Sequence, residues 1–337
     1  MQSQEKQDAP RPRGFVDELR SLSEAVPHKR IFGVIFLAWI ALFHFLGNPT
    51  LGYINTRSMF GWLQNAYNQS TDDNLGVLVP IAVVLLLWWK REELAATPKQ
   101  LWWPPIVLFA FAALLHVAGY TIQQTRLSVV SFFLGLYALM GLLWGWEILR
   151  ATFFPFFLFA FSVPLPGDLE GLTIPLRVIA AKLTVGTSHL IGIDDLIRQG
   201  TELMHEKRGV KYNVEAACSG MRSLTVMLAM GCIFGFIFFR KNWKRAVMIL
   251  SAIPFAILSN LLRLQTVVIG GTWKYDQMDA AKASKAVATK AGQDFGMHLH
   301  DHEILKYVPY VLGFAGMMLL ARWLRQDAEE SEQAVPT

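Results

Sequence analysis

LSVVSFFLGLYALMGLLWGWEIL, residues 127–149, carries one charged side chain, Glu147. At 1.5 Å per residue a helix of that length extends about 34 Å, enough to cross a hydrocarbon core of roughly 30 Å. Its neighbours are similar. Residues 105–122 and 151–163 contain no Asp, Glu, Lys or Arg, and neither do 31–47, 75–89 and 307–321. Two more runs, 219–239 and 246–270, carry one charge each, Arg222 and Arg263. The spans expected are about 30–47, 75–89, 104–122, 127–149, 150–164, 219–239, 246–270 and 305–323. The segment 150–164 is short and carries Pro155, so it can also dip into the bilayer without crossing. The fold expected is an all-α polytopic membrane protein of about eight transmembrane helices with a small extracytoplasmic β-hairpin segment.

Composition agrees. Of 337 residues, 53% are hydrophobic and 17% charged, against roughly 25% charged in an average soluble domain. The segregation of charge excludes a single soluble globule, a disordered chain and a nucleic-acid-binding domain. The net charge of +5 is accounted for by basic loops. Two cysteines make neither a disulfide framework nor a zinc cluster. Residues 1–29, with charges of both signs and no small-residue cleavage site after them, read as a cytoplasmic tail rather than a signal peptide. A transmembrane domain over 30–323 and an acidic cytoplasmic tail over 324–337 follow.

Flanking charges set the expected orientation. Lys29–Arg30, Lys90–Arg91, Arg150, the cluster Arg240–Arg245 and Arg322–Arg325 fall on one side if all eight segments cross. That side is the cytoplasm, with both termini inside. Lys274, Lys282, Lys285 and Lys290 then lie outside, against the rule, in a long loop. The outer face receives two polar segments, 165–218 and 271–304. The first opens on a rigid turn, Pro164-Leu165-Pro166-Gly167, and continues as an amphipathic stretch over 174–191 suited to the membrane interface. A β-hairpin is expected from Thr201–Met204 and Val210–Val214 around Glu206-Lys207-Arg208-Gly209.

Ionisable residues inside a membrane are costly and therefore candidate functional groups. Glu147 lies at a cytoplasmic end, within reach of water, and Arg222 can snorkel to the outer surface. Arg263 sits about 25 Å along its span from Ala246, near the outer end, with Asn260 on the same face three positions earlier. An arginine there either serves a site or anchors on lipid phosphate. Cys218 precedes the sixth span in Val214-Glu215-Ala216-Ala217-Cys218-Ser219-Gly220-Met221-Arg222. At a helix N-terminus the dipole and unpaired N–H groups favour the nucleophilic thiolate and can receive an oxyanion. Cys232, deeper in the same span, reads as packing. Before the last span lies Met297-His298-Leu299-His300-Asp301-His302-Glu303. These histidines suit a general acid or base beside a thiol, a metal site with carboxylates, or a surface cluster without a role.

At these residues the chain resembles the exosortase/archaeosortase family of integral-membrane processing enzymes. The matching pieces are Ala217-Cys218-Ser219-Gly220 with Arg222, Asn260-Leu261-Leu262-Arg263, and a His at the head of the last span. Pro175-Leu176-Arg177, Gly192-Ile193 and Gly200 also look like the family, and the likeness runs from about residue 30 to 322. The resemblance implies a membrane-embedded cysteine peptidase or transpeptidase of the bacterial inner membrane, its active site at the outer face. It implies substrates that are secreted proteins with a C-terminal motif (Pro-Glu-Pro in many cases), a transmembrane helix and a basic tail. Cleavage falls between motif and helix, with transfer to an acceptor. Carried over, Cys218 is the nucleophile, Arg263 the oxyanion stabiliser, and His302 or His300 the acid–base group, with His302 preferred as closer to the membrane. The family's Gly four residues after the His is absent, those positions being Ile304 and Lys306. No cofactor or resident metal is expected. The bilayer and the substrate proteins are the partners. The run Gly313-Phe314-Ala315-Gly316 offers a smooth face for a substrate helix. The rival functions are a transporter or lipid-linked glycan-handling protein, in which Arg222 and Arg263 bind phosphate, and a membrane scaffold.

Overall fold

A computed structural model of the chain describes residues 24, 26–50, 54–69, 74–164, 174–200, 202–213, 220–302 and 307–333. These divide into two compact units, the first ending at Val163 and the second running from Pro164 onward, with Asn74 and Leu75 grouped with the second.

The first unit is helical: α1 (Lys29–Leu46), α2 (Met59–Gln69), α3 (Leu78–Trp89), α4 (Arg91–Ala96), α5 (Pro105–Thr121), α6 (Thr125–Trp144) and α7 (Trp146–Phe157). The last tightens into a 3-10 turn over Leu158–Ser162. Its core is aromatic. Trp39 and Phe43 of α1 meet Met59 and Trp62 of α2, Ala112 of α5, and Val129 and Phe132 of α6. Gly135 admits the indole, because a Cβ there would stand 2.2 Å from Trp39 Cζ2. The outer faces are apolar too, with Val34 at 69%, Val107 at 72% and Leu114 at 67% exposure. Apolar side chains on both faces are what lipid as solvent requires.

The stretch 127–149 is not one helix, as expected, but two. Gly145 has φ 90°, a conformation that side chains resist, and the chain breaks there. The junction expected at Arg150 thus lies earlier, and Arg150 sits inside α7. Glu147 falls in the first turn of α7, where the helix dipole favours a carboxylate.

The second unit begins with α8 (Ile174–Leu190) and a sheet of β1 (Leu196–Gln199), β2 (Glu202–His205) and β3 (Lys211–Asn213). The helices α9 (Gly220–Phe238), α10 (Asn242–Ala280), α11 (Lys285–Asp301) and α12 (Val308–Gln333) follow. The sheet is antiparallel in the order β1-β2-β3, with Leu196 opposite His205 and Leu203 opposite Tyr212. The expected hairpin is present as β2–β3, and β1 adds a third strand. α8 is inside-out. Its polar Arg177, Thr184 and Ser188 are buried, while Ile179, Leu183 and Leu190 are exposed.

Two expectations are corrected. Of the segment 271–304, expected as a long loop, the described residues are mostly helical, because α10 runs on through Gly271 to Ala280 and α11 returns alongside it. At 39 residues α10 extends about 58 Å, far more than a bilayer needs. In the Gly313–Gly316 run Phe314 and Ala315 are exposed, but the two glycines are not open. A Cβ on Gly313 would meet Met227 Cε at 2.4 Å, and one on Gly316 would meet Phe255 Cε1 at 2.3 Å. Those glycines pack α12 onto α9 and α10.

Among the described residues, α1, α6 and α10 are long and apolar enough to cross a membrane. Leu78–Trp89, Pro105–Thr121 and Leu224–Phe238 are shorter apolar helices. The chain is an all-α multi-pass membrane protein.

Candidate active site

α10 is the rail on which the candidate residues are assembled. α9 runs antiparallel to it, with Gly231 against Met248 and Ile249, where a Cβ would stand 2.8 Å from Met248 O. Equal steps in opposite directions carry Gly220, the first residue of α9, to the level of Asn260 on α10. α11 is also antiparallel. A Cβ on Gly292 would lie 2.8 Å from Gly271 O, and one on Gly296 would lie 2.9 Å from Val267 O. One helical turn farther, the same register sets His300 level with Arg263. The first turn of α12 arrives at that level as well, where Arg263 Nη1 donates to Tyr310 Oη at 3.5 Å.

Four helix segments therefore share one height: the start of α9, the Asn260–Arg263 turn of α10, the end of α11 and the start of α12. Cys218 lies outside the described residues, two positions before α9 opens. The side chains of Arg222, His300 and Asp301 lie outside them too, although all three backbones are helical. His302 caps the C-terminal end of α11 and is exposed, its ring 6.1 Å from that of His298. The turn expected over 164–167 lies outside the described residues apart from Pro164.

Arg263 is 7% exposed and Asn260 4%. An arginine anchored on lipid phosphate must reach outward, whereas this one is enclosed. Its Cζ lies 6.0 Å from the centre of the Tyr310 ring, and its Nε has no hydrogen-bond partner among the described residues. A buried guanidinium with an unused donor costs stability. Such groups gather where a ligand supplies the missing partner. Among the described residues no group of three His, Cys, Asp or Glu side chains is arranged to hold a metal ion.

The structure adds a device absent from the sequence reading. Asp195 Oδ1 accepts from Arg208 Nη1 and lies 3.1 Å from His205 Nδ1. Arg208 Nε donates to Asp276 Oδ1 of α10 at 3.0 Å, and His205 Nε2 stands 3.3 Å from Thr272 Oγ1. This polar latch ties the sheet to α10. Beside it Tyr212 of β3 enters a notch of glycines, where a Cβ on Gly271 would overlap its hydroxyl and one on Gly296 would come within 2.8 Å of its ring. Both devices seat the strand from which the chain continues toward Cys218. Burial opposes ionisation of Asp195, but the hydrogen bond from His205 and the charges of His205 and Arg208 outweigh it and hold its pKa below the usual carboxylate range. Burial pushes His205 below the ordinary histidine value despite Asp195.

The latch carries a pH signature. A histidine with a lowered folded pKa leaves the unfolded chain binding more protons, so stability falls as pH drops below about 6.5. Asp195, also lowered, adds loss in the same direction below about 4. Thermal unfolding in detergent is expected to shift down between pH 7 and pH 5, with a flatter slope in His205→Gln. A wild-type midpoint that rises on acidification contradicts this.

An enclosed arginine midway along a 39-residue helix, at the level where three other helices begin or end, defines a polytopic membrane protein with a buried candidate site beside its long helix. Residues 62–292 match the model of the transmembrane exosortase family (Exosortase_EpsH), and the chain belongs to that family. The match spans Cys218 and Arg263 and ends before His298. No curated protein and no solved structure matches the chain.

Proposed function

We propose that the chain is a cysteine peptidase or transpeptidase that removes C-terminal sorting signals from secreted proteins at the outer face of the inner membrane. The observation that carries this reading is the enclosed guanidinium of Arg263, its Nε without a partner among the described residues, at the level where α9, α11 and α12 end or begin. Cys218 thiolate attacks the carbonyl between the recognition motif and the substrate's transmembrane helix. Arg263 and the free N–H groups at the start of α9 stabilise the oxyanion. A histidine protonates the leaving amine and then deprotonates water or the acceptor. Of the two candidates, His300 shares the level of Arg263, whereas His302 is one step beyond the helix end; the register thus favours His300. About eight apolar segments enter the bilayer, with 150–164 either crossing or dipping into it, the residue 30–323 region acts as one catalytic domain, and the basic Arg240–Arg245 turn faces the cytoplasm.

The test reads the C-termini of envelope proteins by mass spectrometry in cells with and without this protein. Proteins ending in a motif, an apolar helix and a basic tail are expected to be shortened only when it is present. His300→Ala is expected to leave them full length, and His302→Ala to leave processing largely intact. Identical C-termini in both strains sink the reading, and the opposite histidine pattern moves the acid–base role to His302.

A further inference from the structure

Arg263 is held at one corner of its guanidinium and has an unpartnered donor at another among the described residues. Nη1 donates to Tyr310 Oη at 3.5 Å, the ring of Tyr310 lies 6.0 Å from Cζ, and Nε has no partner among the described residues. In a guanidinium, Nε–H and the adjacent Nη2–H run parallel along one edge, and Nη1 belongs to the opposite corner. Tyr310 therefore holds the cation by hydroxyl and ring at the corner away from Nε, whose donor has no partner among the described residues. Two parallel donors fit the two oxygens of a planar carboxylate.

We propose that Tyr310 is a positioning residue for Arg263, and that the Nε–Nη2 edge binds a carboxylate, the new C-terminus released by hydrolysis. The proposal rests on the reading of Cys218 and Arg263 given above. In the hydrolytic step water adds to the thioester carbonyl, a C–O bond forms and the C–S bond breaks. One proton of the water returns to sulfur, the other leaves as the acid ionises, and no electrons are gained or lost. The edge that meets one oxyanion oxygen during acyl transfer then meets both oxygens of the product. Hydrolysed product is held as an anion, whereas an amide formed by transfer to an amine is not.

The experiment is alkylation of Cys218 in the purified full-length protein in detergent micelles, followed by peptide mass. The thiolate displaces iodide, forming an S–CH2 bond as the C–I bond breaks. An unassisted thiolate reacts more slowly with iodoacetate than with iodoacetamide, because both reactants are anions. Here iodoacetate is expected to be faster, by about tenfold, and saturable, the charge-assisted pair supplying the difference. The preference is expected to vanish in Arg263→Gln, to fall about threefold in Tyr310→Phe, and to fall further in Tyr310→Leu. N-acetylglycine is expected to slow labelling by iodoacetamide, and N-acetylglycinamide is not. Cys232, buried in α9, serves as the internal control.

Equal rates, an unreactive Cys218, or a preference that persists in Arg263→Gln overturn the carboxylate edge. Protection by the side-chain carboxylate of N-acetylaspartate N-methylamide without protection by N-acetylglycine overturns the product assignment. A Tyr310→Leu variant with wild-type selectivity removes Tyr310 from the positioning role. Alkylation needs no turnover, so the two failures separate. Processing that depends on Cys218 without carboxylate selectivity defeats only this inference. Selectivity in the wild type, with processing undisturbed in Cys218→Ala, defeats only the peptidase reading.

Discussion

Cys218→Ala is expected to leave substrate proteins at full length, with their C-terminal helix and basic tail attached. A covalent mechanism has no second route to the acyl-enzyme. The remaining groups, Arg263, the N–H groups at the start of α9 and a histidine, stabilise charge but supply no nucleophile. Loss of the nucleophile in such systems costs on the order of 10⁴-fold or more in turnover. Quantitative mass spectrometry of substrate C-termini reads that range directly. The variant is expected to insert normally and unfold at the wild-type temperature. Cys218→Ser sharpens the test. A serine at a helix N-terminus is well accommodated but ionises with great difficulty, and it is expected to be nearly as inactive as alanine. Processing that survives in either variant ends the cysteine mechanism and favours a protein that binds its partner without cutting it.

The helices were legible because lipid imposes a strong signal on sequence. Residues 105–121 contain no Asp, Glu, Lys or Arg, and a helix forms there over Pro105–Thr121. Hydropathy marks the membrane, however, and not the helix. α10 was expected to stop near residue 270 because Lys274, Asp276 and Asp279 follow, yet those residues simply continue the helix beyond the apolar part. Gly270, Gly271, Gly292 and Gly296 look like breakers in sequence, whereas their missing side chains are what let α10, α11 and Tyr212 approach. β1 was missed because Leu196-Ile197-Arg198-Gln199 has no alternation to betray it, and its partner strand supplies the order. The latch joins Asp195, His205, Arg208 and Asp276, and no local pattern connects position 208 with position 276. Cys218, Arg263 and the histidines could each be picked out as chemistry. That His300 stands level with Arg263 depends on the glycine register of α10 and α11, which only the packing reveals.

Arg263→Met is expected to separate function from stability. Were Arg263 a structural member, its removal would leave partners stranded and lower the unfolding temperature. Its contacts argue the reverse. The side chain is buried, one donor is unused, and its described hydrogen bond, to Tyr310, is long at 3.5 Å. A buried ion with an unpaired donor costs stability, so an apolar side chain of similar length in its place is expected to be neutral or stabilising. Removing the principal oxyanion donor, in contrast, costs about 10²–10³-fold in turnover. The variant is therefore expected to unfold at or above the wild-type temperature in detergent while processing falls by that factor. Arg263→Lys keeps the charge but loses the planar edge and its parallel donors, and is expected to recover little activity. A destabilised Arg263→Met protein would show that the arginine holds the helices together. An active one would show that the oxyanion is stabilised without it. The expected pair of results is the signature of a group kept at a cost to the fold because the reaction needs it.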